Sequence, residues 1–317
     1  MKRNILILGA GGFLGRHMLV RLSAAGFGVV AGLRGKGAPA TGVRHLDATD
    51  CASLRDALDG VTDIVNCVAG SPEVMVRATT ALCAAAGSRR IVHLSSMAVY
   101  GNARGLVDED APLAGASPYA RAKIESEVLL RAHVAAGGNA VMLRLGCVHG
   151  PGSEPWTLRP ARLLRQGRLG ELGPAGEGVC NLSALADCSS AVIACLEGRG
   201  ISGAAFNISD PEPGSWNVYF RDLAGAIGLP ALAPVPAWRI AAEKIAAYPL
   251  KAAEIAGRRL GLRPPEAIPP SLWSTFGQDI RLDHRRCDLA LRIARQSPAE
   301  ALAEAAAWLR REAAIGR

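Results

Sequence analysis

Two side chains that can take part in proton transfer, Tyr119 and Lys123, stand four positions apart in the segment 117–123, which reads SPYARAK. Serine is a favoured helix N-cap and proline a favoured first helical residue, so the pattern predicts a helix from Pro118. Residues four apart lie on one helix face. A phenol has a reference pKa of about 10, and a neighbouring cation lowers it. We therefore expect Lys123 to make Tyr119 a usable acid or base.

A pair of serines precedes this helix in the chain. Ile91 to Leu94 is a short apolar run that predicts a buried parallel strand, and it ends in Ser95-Ser96. A hydroxyl at such a strand end can hydrogen-bond a substrate oxygen while a neighbouring phenol exchanges the proton. The predicted catalytic set is therefore Ser96, Tyr119 and Lys123. The alternative is a half-buried tyrosine beside a solvated lysine, which this spacing also allows.

The N-terminal segment carries a glycine pattern. An apolar strand over 4–8 leads into Gly9-Ala10-Gly11-Gly12-Phe13-Leu14-Gly15, and a helix follows to about residue 25. Glycines in G-x-x-G-x-x-G spacing allow a tight turn and a close approach of the backbone to a pyrophosphate at the helix N-terminus. We expect dinucleotide binding by Gly9, Gly11, Gly12, Phe13, Leu14 and Gly15.

The next strand, predicted over 28–33, ends in Arg34. An acidic residue at this strand end would hydrogen-bond the adenosine ribose, whereas arginine pairs with a 2′-phosphate. Arg34 therefore favours NADP(H) as the cofactor, with NAD(H) as the alternative if Arg34 is only a loop charge.

Further cofactor contacts are expected where later strands end. Asp47 stands where it can meet the adenine edge, and the small residues after the strand 63–68 let the backbone pass close to a cofactor. The remaining predicted cofactor contacts are Asp47, Ala48, Val68, Ala69 and Ser95, together with Tyr119 and Lys123.

Strands and helices alternate along the first half of the chain, which predicts an α/β fold with a doubly wound parallel (Rossmann) sheet. We expect a dinucleotide-binding domain over 1–155 and a smaller α/β substrate-binding lobe over 156–317. The chain is expected to return to the sheet within 179–210. A long alanine-rich helix over 236–260 is predicted to break near Pro249.

Composition narrows the function classes. Of 317 residues, half are hydrophobic, and the net charge of +8 comes from dispersed basic residues rather than from a dense run, which argues against nucleic-acid binding. The eight cysteines include no C-x-x-C pair, and the six histidines are scattered, so we expect reduced thiols in a cytoplasmic protein and no metal site. Because no apolar run approaches about 20 residues, we expect no membrane partner.

Together these residues resemble the extended short-chain dehydrogenase/reductase family, also described as the NAD-dependent epimerase/dehydratase superfamily. The likeness implies that Tyr119 is the acid/base, that Ser96 is its hydroxyl partner, and that Lys123 also binds the nicotinamide ribose. It further implies a homodimer through the helices that begin near Ala78 and Ser117. The matching positions are 9–15, Asp47, 95–101, Tyr119, Lys123, 144–145, 150–152, Asp187 and 207–210.

Three departures from the family pattern narrow the activity. Met97-Ala98 stand where dehydratases of this family have an acidic pair. The short segment 71–73 and Cys147, which replaces an asparagine, weaken the case for a sugar-nucleotide substrate. The second half is more similar to the dihydroflavonol-reductase and 3β-hydroxysteroid-dehydrogenase-like branches, which act on less polar carbonyls and alcohols.

Three residues are candidate substrate contacts: Met97, Cys147 and His149. Some epimerases of the family use a Cys/His pair as a second acid/base, and residues two apart on an extended segment project to the same side. Packing in the core explains Cys147 and His149 equally well.

The sequence thus supports an NADP(H)-dependent oxidoreductase that moves hydride between nicotinamide and a carbonyl or secondary alcohol of a small molecule. The alternatives are a sugar-nucleotide 4-epimerase or 4-ketoreductase and, from another class, a dinucleotide-binding regulator without catalysis. Such regulators often lose the tyrosine or the lysine, and both are present here.

Overall fold

The computed structural model describes residues 3–35, 41–259 and 268–315. The chain divides into two compact units. The first consists of Met1–His149, Leu182–Pro211 and Leu282–Ala301, and the second of Gly150–Asn181, Glu212–Arg281 and Leu302–Arg317.

The described strands are β1 (Asn4–Leu8), β2 (Gly28–Leu33), β3 (Val43–His45), β4 (Asp63–Asn66), β5 (Arg90–Ser96), β6 (Gly105–Val107), β7 (Asn139–Leu145), β8 (Cys147–His149), β9 (Leu182–Ala184), β10 (Ala205–Ile208) and β11 (Ile280–Leu282). Seven of them form one sheet in the order β10-β7-β5-β4-β1-β2-β3, and every neighbouring pair is parallel. This order places the carboxyl ends of β1, β4 and β5 side by side, where ligands bind in such sheets.

The described helices are α1 (Phe13–Ala24), α2 (Cys51–Ala57), α3 (Pro72–Ala86), α4 (Pro118–Ala135), α5 (Arg159–Arg165), α6 (Leu185–Glu197), α7 (Trp216–Ala226), α8 (Ala237–Arg259), α9 (Pro270–Phe276), α10 (Arg285–Ala290) and α11 (Pro298–Ile315). Serine side chains cap α3 and α4, and proline stands in the first turn of both, as the sequence predicts for α4.

Alternating residues of β1 face two separate cores. Ile5 and Ile7 of β1 belong to a cluster that includes Met18 of α1, and Leu6 and Leu8 to a cluster that includes Leu54 of α2. Side chains of a strand alternate between the two faces of its sheet, so a sheet covered by helices on both faces needs apolar residues at every position. The predicted doubly wound α/β fold is confirmed.

The second unit is mainly helical in its described part. Its core contains an aromatic cluster in which the ring of Trp216 lies 5.0 Å from that of Phe276 and 5.3 Å from that of Trp156, measured between centroids. The strands that the sequence predicts over 179–185 and 204–208 correspond to β9 and β10, which lie in the first unit. β10 pairs with β7 at the edge of the large sheet.

The prediction that the long helix breaks near Pro249 is wrong. α8 is helical from Ala237 to Arg259 with Pro249 inside it. Proline lacks the N–H that would bond to the carbonyl four residues earlier, so the helix continues with one hydrogen bond fewer.

Candidate functional site

The turn between β1 and α1 can be built only with glycine at two positions. Gly9 has φ +73°, and a Cβ there would lie 2.8 Å from the carbonyl oxygen of Cys67. A Cβ on Gly15 would lie 2.2 Å from the carbonyl oxygen of Gly9, so α1 packs directly on the turn. The backbone N–H of Gly12 closes the turn by donating to Gly9 O at 2.9 Å.

The N-terminus of α1 suits an anion. Its N-cap residue, Gly12, makes no side-chain cap, and no acidic residue occupies the first turn. Gly11 and Gly12 are exposed. Uncapped N–H groups at the positive end of a helix favour a phosphate group. This part of the chain therefore fits the pyrophosphate of a dinucleotide, as the glycine pattern predicts.

Arg34 and Asp47 follow the neighbouring strands β2 and β3, and both are exposed. The Asp47 carboxylate accepts hydrogen bonds from the Thr49 N–H and hydroxyl, each at 2.8 Å. The pKa of Asp47 is lowered chiefly by the Thr49 backbone hydrogen bond, and the positive charge of Arg34 contributes to the shift. Arg34 and Asp47, both predicted cofactor contacts, thus lie close enough for the charge of Arg34 to affect the pKa of Asp47. Ala48, which is half-buried, stands between Asp47 and Thr49.

The loop after β4 is held by a residue that the sequence analysis missed. Asn66 accepts a hydrogen bond from the Val68 N–H at 3.1 Å, and its amide nitrogen lies 3.1 Å from His93 Nδ1. Burial lowers the pKa of His93 well below its usual value, so the ring is neutral and Nδ1 can accept from Asn66. The predicted contact Val68 therefore has a fixed backbone, and the next residue, Ala69, is exposed.

The catalytic candidates meet where β5 ends and α4 begins. Lys123 Nζ donates to the carbonyl oxygen of Leu94 at 2.7 Å and lies 5.9 Å from the centroid of the Tyr119 ring. Burial lowers the pKa of Lys123 to about 8, and the negative charge of Glu127 opposes that shift. The ammonium is thus charged at neutral pH and fixed in place by the strand.

The expectation that Lys123 lowers the pKa of Tyr119 is wrong for this geometry. The pKa of Tyr119 is raised by burial, and a hydrogen bond with Ser96 opposes the shift without reversing it. The Lys123 ammonium is directed at the Leu94 carbonyl and lies over the Tyr119 ring. The Tyr119 side chain is nonetheless 44% exposed, so substrate can reach it.

The two serines at the end of β5 have different partners. Ser96 accepts a hydrogen bond from the Ala98 N–H at 3.2 Å and interacts with Tyr119. Ser95 is buried and donates to Glu127 Oε1 at 2.6 Å. Adjacent residues of a strand point to opposite faces. The Ser95 hydroxyl therefore donates to a buried carboxylate within the protein, whereas the sequence predicts that Ser95 contacts the cofactor.

A buried polar network lies beneath these residues. Arg144 of β7 binds the Glu127 carboxylate through Nε at 3.0 Å and through a terminal nitrogen at 2.6 Å. It also donates to the Tyr100 hydroxyl at 2.8 Å, and that hydroxyl donates to Asn207 Oδ1 at 2.7 Å. The Asn207 N–H donates to Glu109 Oε1 at 2.8 Å.

This network ties α4 to β5, β7 and β10. Glu127 is not among the residues predicted from the sequence, although two signals point to it. An arginine inside the apolar strand β7 requires a buried carboxylate, and Glu127 follows Lys123 by one helical turn.

The three candidate substrate contacts are buried. Cys147 and His149 lie in β8, which pairs with β9, and Met97 lies in the turn after β5. Burial raises the pKa of Cys147 and lowers that of His149 to about 4. The thiol is therefore protonated and the imidazole neutral at neutral pH, which favours packing over a role as a second acid/base pair.

The sequence of the chain matches the model of the NAD dependent epimerase/dehydratase family over residues 5–208. The chain belongs to this family. The match confirms the predicted family and its class of NAD(P)-dependent enzymes, and it supports a nicotinamide dinucleotide as cofactor. The likeness to the dihydroflavonol-reductase and 3β-hydroxysteroid-dehydrogenase-like branches stays a prediction.

Individual proteins are similar to parts or all of the chain. Protein YeeZ of Escherichia coli strain K12 is 32% identical over 142 residues, which are 44% of this chain and 47% of that protein. The match thus spans about half the length of this curated relative. The UDP-glucose 4-epimerase of Thermotoga maritima with UDP-glucose has a TM-score of 0.73 at 18% identity, covering 98% of this chain and 99% of that one. RMD from Pseudomonas aeruginosa complexed with NADPH has a TM-score of 0.70 at 17% identity, with the same coverage.

The described residues show neither a metal site nor a membrane-spanning helix. No group of three or more histidine, cysteine or acidic side chains is arranged to hold a metal ion. Within the same residues, every helix is too short or too polar to cross a membrane.

Proposed function

We propose that this member of the family is an NADP(H)-dependent oxidoreductase that reduces a carbonyl of a small molecule or oxidises the corresponding secondary alcohol. The observation that carries the proposal is the grouping of Ser96, Tyr119 and Lys123 at the carboxyl end of β5. β5 is in the same parallel sheet as β1, the strand that leads into the glycine turn.

Each of the three residues has a task. The nicotinamide, when bound, supplies or accepts the hydride. Tyr119 is protonated at neutral pH, because the reference pKa of a phenol is about 10 and burial raises that of Tyr119. It can therefore donate a proton to a carbonyl oxygen as the oxygen gains charge. Ser96 orients that oxygen by a hydrogen bond. Lys123 keeps two N–H groups beyond the one given to Leu94, and these can bind the nicotinamide ribose.

The test is replacement of Tyr119 by Phe, which removes the proton donor and little else. We expect kcat for ketone or aldehyde reduction to fall by about 10²- to 10⁴-fold while NADPH affinity stays unchanged. Retained activity would remove Tyr119 from the mechanism. If the wild-type protein binds dinucleotide but converts none of the ketones and aldehydes, the non-catalytic regulator is favoured instead.

Cofactor preference is tested by titration with NADPH and NADH. The exposed Arg34 supports NADP(H), and its replacement by Ser should weaken NADPH binding about tenfold, or about 1.4 kcal/mol, without affecting NADH. Equal affinities for both dinucleotides in the wild-type protein would contradict the preference.

A second candidate is a sugar-nucleotide 4-epimerase or 4-ketoreductase that uses the same residues. The likeness to the UDP-glucose 4-epimerase of T. maritima favours it. NAD(H) that co-purifies with the protein, together with conversion of a UDP-sugar without net redox turnover, would support this candidate over the first. A homodimer through α3 and α4 and a cytoplasmic location stay predictions.

A further inference from the structure

The helix α8 (Ala237–Arg259) exposes its largest apolar side chains. The exposed fractions are 72% for Trp238, 79% for Ile245, 73% for Tyr248 and 48% for Ile255. Intervals of seven, three and seven residues place these side chains along one side of a helix. We call this row the outer stripe, and the helix that carries it is about 34 Å long.

The positions around the outer stripe are apolar as well. Ala241, Ala242, Pro249, Ala252 and Ala256 are exposed on the same half of the helix. The stripe is therefore continuous rather than a set of isolated residues. Two large aromatic and two aliphatic side chains at these exposures present an apolar surface on the order of several hundred Å², a size that marks an interaction site.

The opposite side of α8 carries its carboxylates. Ile240, Ala247 and Glu254 are buried, at intervals of seven residues. Glu254 lies 3.5 Å from Arg159 of α5 and 3.1 Å from Lys251. The inward side of α8 thus combines apolar residues with a paired carboxylate, and its outward side carries large apolar side chains where an ordinary surface helix is polar.

The second carboxylate of the helix is also paired inside the unit. Glu243 binds Arg168 at 2.8 Å and 2.5 Å. Both carboxylates of α8 are thus paired with basic side chains, while Lys244 is exposed beside the outer stripe and Arg239 and Lys251 are half-buried. The exposed charge described beside the outer stripe is therefore positive.

The lysines border the stripe on one side. Lys244 and Lys251 are seven residues apart, and Lys244 is exposed, with its ammonium 5.4 Å from the centroid of the Trp273 ring. A contact between the outer stripes of two copies would bring the lysines of both to one interface, and Glu254, which pairs with Lys251, is already shared with Arg159. The charge pattern therefore argues against a second copy and for a negatively charged partner.

We propose that the outer stripe of α8 binds the surface of an anionic lipid bilayer. Tryptophan and tyrosine favour the membrane–water interface because each has an apolar ring and a polar end. Lysines beside an apolar helix face are attracted to anionic lipids. α8 would lie in the interface without crossing the bilayer. The proposal replaces the expectation from the sequence that no membrane is involved.

The test is co-sedimentation of the full chain with vesicles. We expect it to bind vesicles of phosphatidylcholine and phosphatidylserine mixed at about two to one, more strongly than pure phosphatidylcholine, and less strongly as salt rises. Binding should quench the fluorescence of Trp238 when the lipids carry bromine, and the quenching should be lost in Trp238→Phe. Absence of binding to the anionic vesicles would overturn the proposal.

Matched variants distinguish vesicle binding through the outer stripe from nonspecific hydrophobic adsorption. Ile245→Glu should weaken vesicle binding at least tenfold, because it places a charge in the stripe. Leu289→Glu is the control, since Leu289 of α10 is 77% exposed and Ile245 is 79% exposed. Lys244→Gln should weaken binding about fivefold at low salt. Equal losses in Ile245→Glu and Leu289→Glu would contradict a role for α8.

Sedimentation velocity tests whether a second copy of the chain, rather than a lipid surface, binds the outer stripe. A concentration-dependent dimer that Ile245→Glu abolishes, together with no vesicle binding by the wild-type protein, would assign the stripe to a second copy and overturn the lipid proposal. NADPH affinity of Ile245→Glu reports whether the first unit is still folded.

Discussion

The helices α4 and α8 both bury ionisable side chains, but they differ in the side chains that they expose. α4 turns Lys123 and Glu127 toward the sheet and exposes Arg121 and Glu125. α8 turns Glu254 inward and exposes Ile245 and Tyr248. α4 thus exposes charged side chains together with Val128, while the large exposed side chains of α8 are mainly apolar.

The difference shows that burial of a charge does not by itself mark a catalytic site. In α4, the buried Lys123 lies next to Tyr119, the proposed proton donor, which is 44% exposed. In α8, the buried Glu254 pairs with two basic side chains, Arg159 and Lys251. What decides function is the accessible group beside the buried charge.

The largest expected effect concerns the ion pair beneath α4. Arg144→Met should destabilise the protein by about 3–5 kcal/mol, because it leaves the Glu127 carboxylate buried without its cation. Urea denaturation measures the loss. Glu254→Gln in α8 should cost less, about 1–3 kcal/mol, because the amide can keep a hydrogen bond. A larger loss for Glu254→Gln than for Arg144→Met would reverse the comparison.

The next effect is a pH dependence that α4 imposes on cofactor binding. The pKa of Lys123 is about 8, so dinucleotide affinity should fall as pH rises through 8, by roughly tenfold at one to two pH units above it. Fluorescence titration between pH 7 and about 9.5 checks this. Lys123→Met should bind weakly at every pH, and an equal pH dependence in that variant would assign the titration to another group.

The same group affects stability with the opposite sign. The folded-state pKa of Lys123 lies below its unfolded value of about 10.4, so the unfolded chain binds more protons between these two values. The contribution of Lys123 to the free energy of unfolding should therefore increase with pH from about 8 to about 10.4. Urea denaturation of the wild-type protein and of Lys123→Met over this range separates it from other titrations.

A smaller effect is expected from Glu127→Gln. The negative charge of Glu127 raises the pKa of Lys123, so its removal should shift the pH at which dinucleotide affinity falls to below 8. The same titration measures this shift. A midpoint that stays at about 8 or moves upward would contradict an electrostatic effect of Glu127 on Lys123.

The smallest effect should come from the outer side of α8. Ile245→Glu should change the free energy of unfolding by no more than about 0.5 kcal/mol, since the side chain is 79% exposed. Urea denaturation with the same protocol tests it. A loss above about 2 kcal/mol would mean that the stripe supports folding, and its apolar character would then need no partner.

The sequence predicted the elements that depend on local chemistry. The glycine turn at 9–15 and the helix that begins at Pro118 follow from backbone geometry and capping, which neighbouring residues decide. The apolar strands of the doubly wound sheet follow from burial on both faces. These parts of the fold were predicted with nearly correct bounds, as for β1 and β2.

Long-range contacts explain what the sequence did not predict. The partner of Ser95 is Glu127, which lies 32 positions further along the chain, and the direction of Lys123 is set by the Leu94 carbonyl, 29 positions earlier. The continuity of α8 through Pro249 likewise contradicts the local preference of proline.

The sequence by itself determined that the chain belongs among dinucleotide-binding α/β proteins, because glycine spacing, capping residues and apolar periodicity act over a few residues. Only the tertiary structure decided the electrostatics of Tyr119 and Lys123 and which side of α8 faces outward. Both depend on burial and on partners far away in the chain, and the energy of a charge changes more with its surroundings than with its neighbours in sequence.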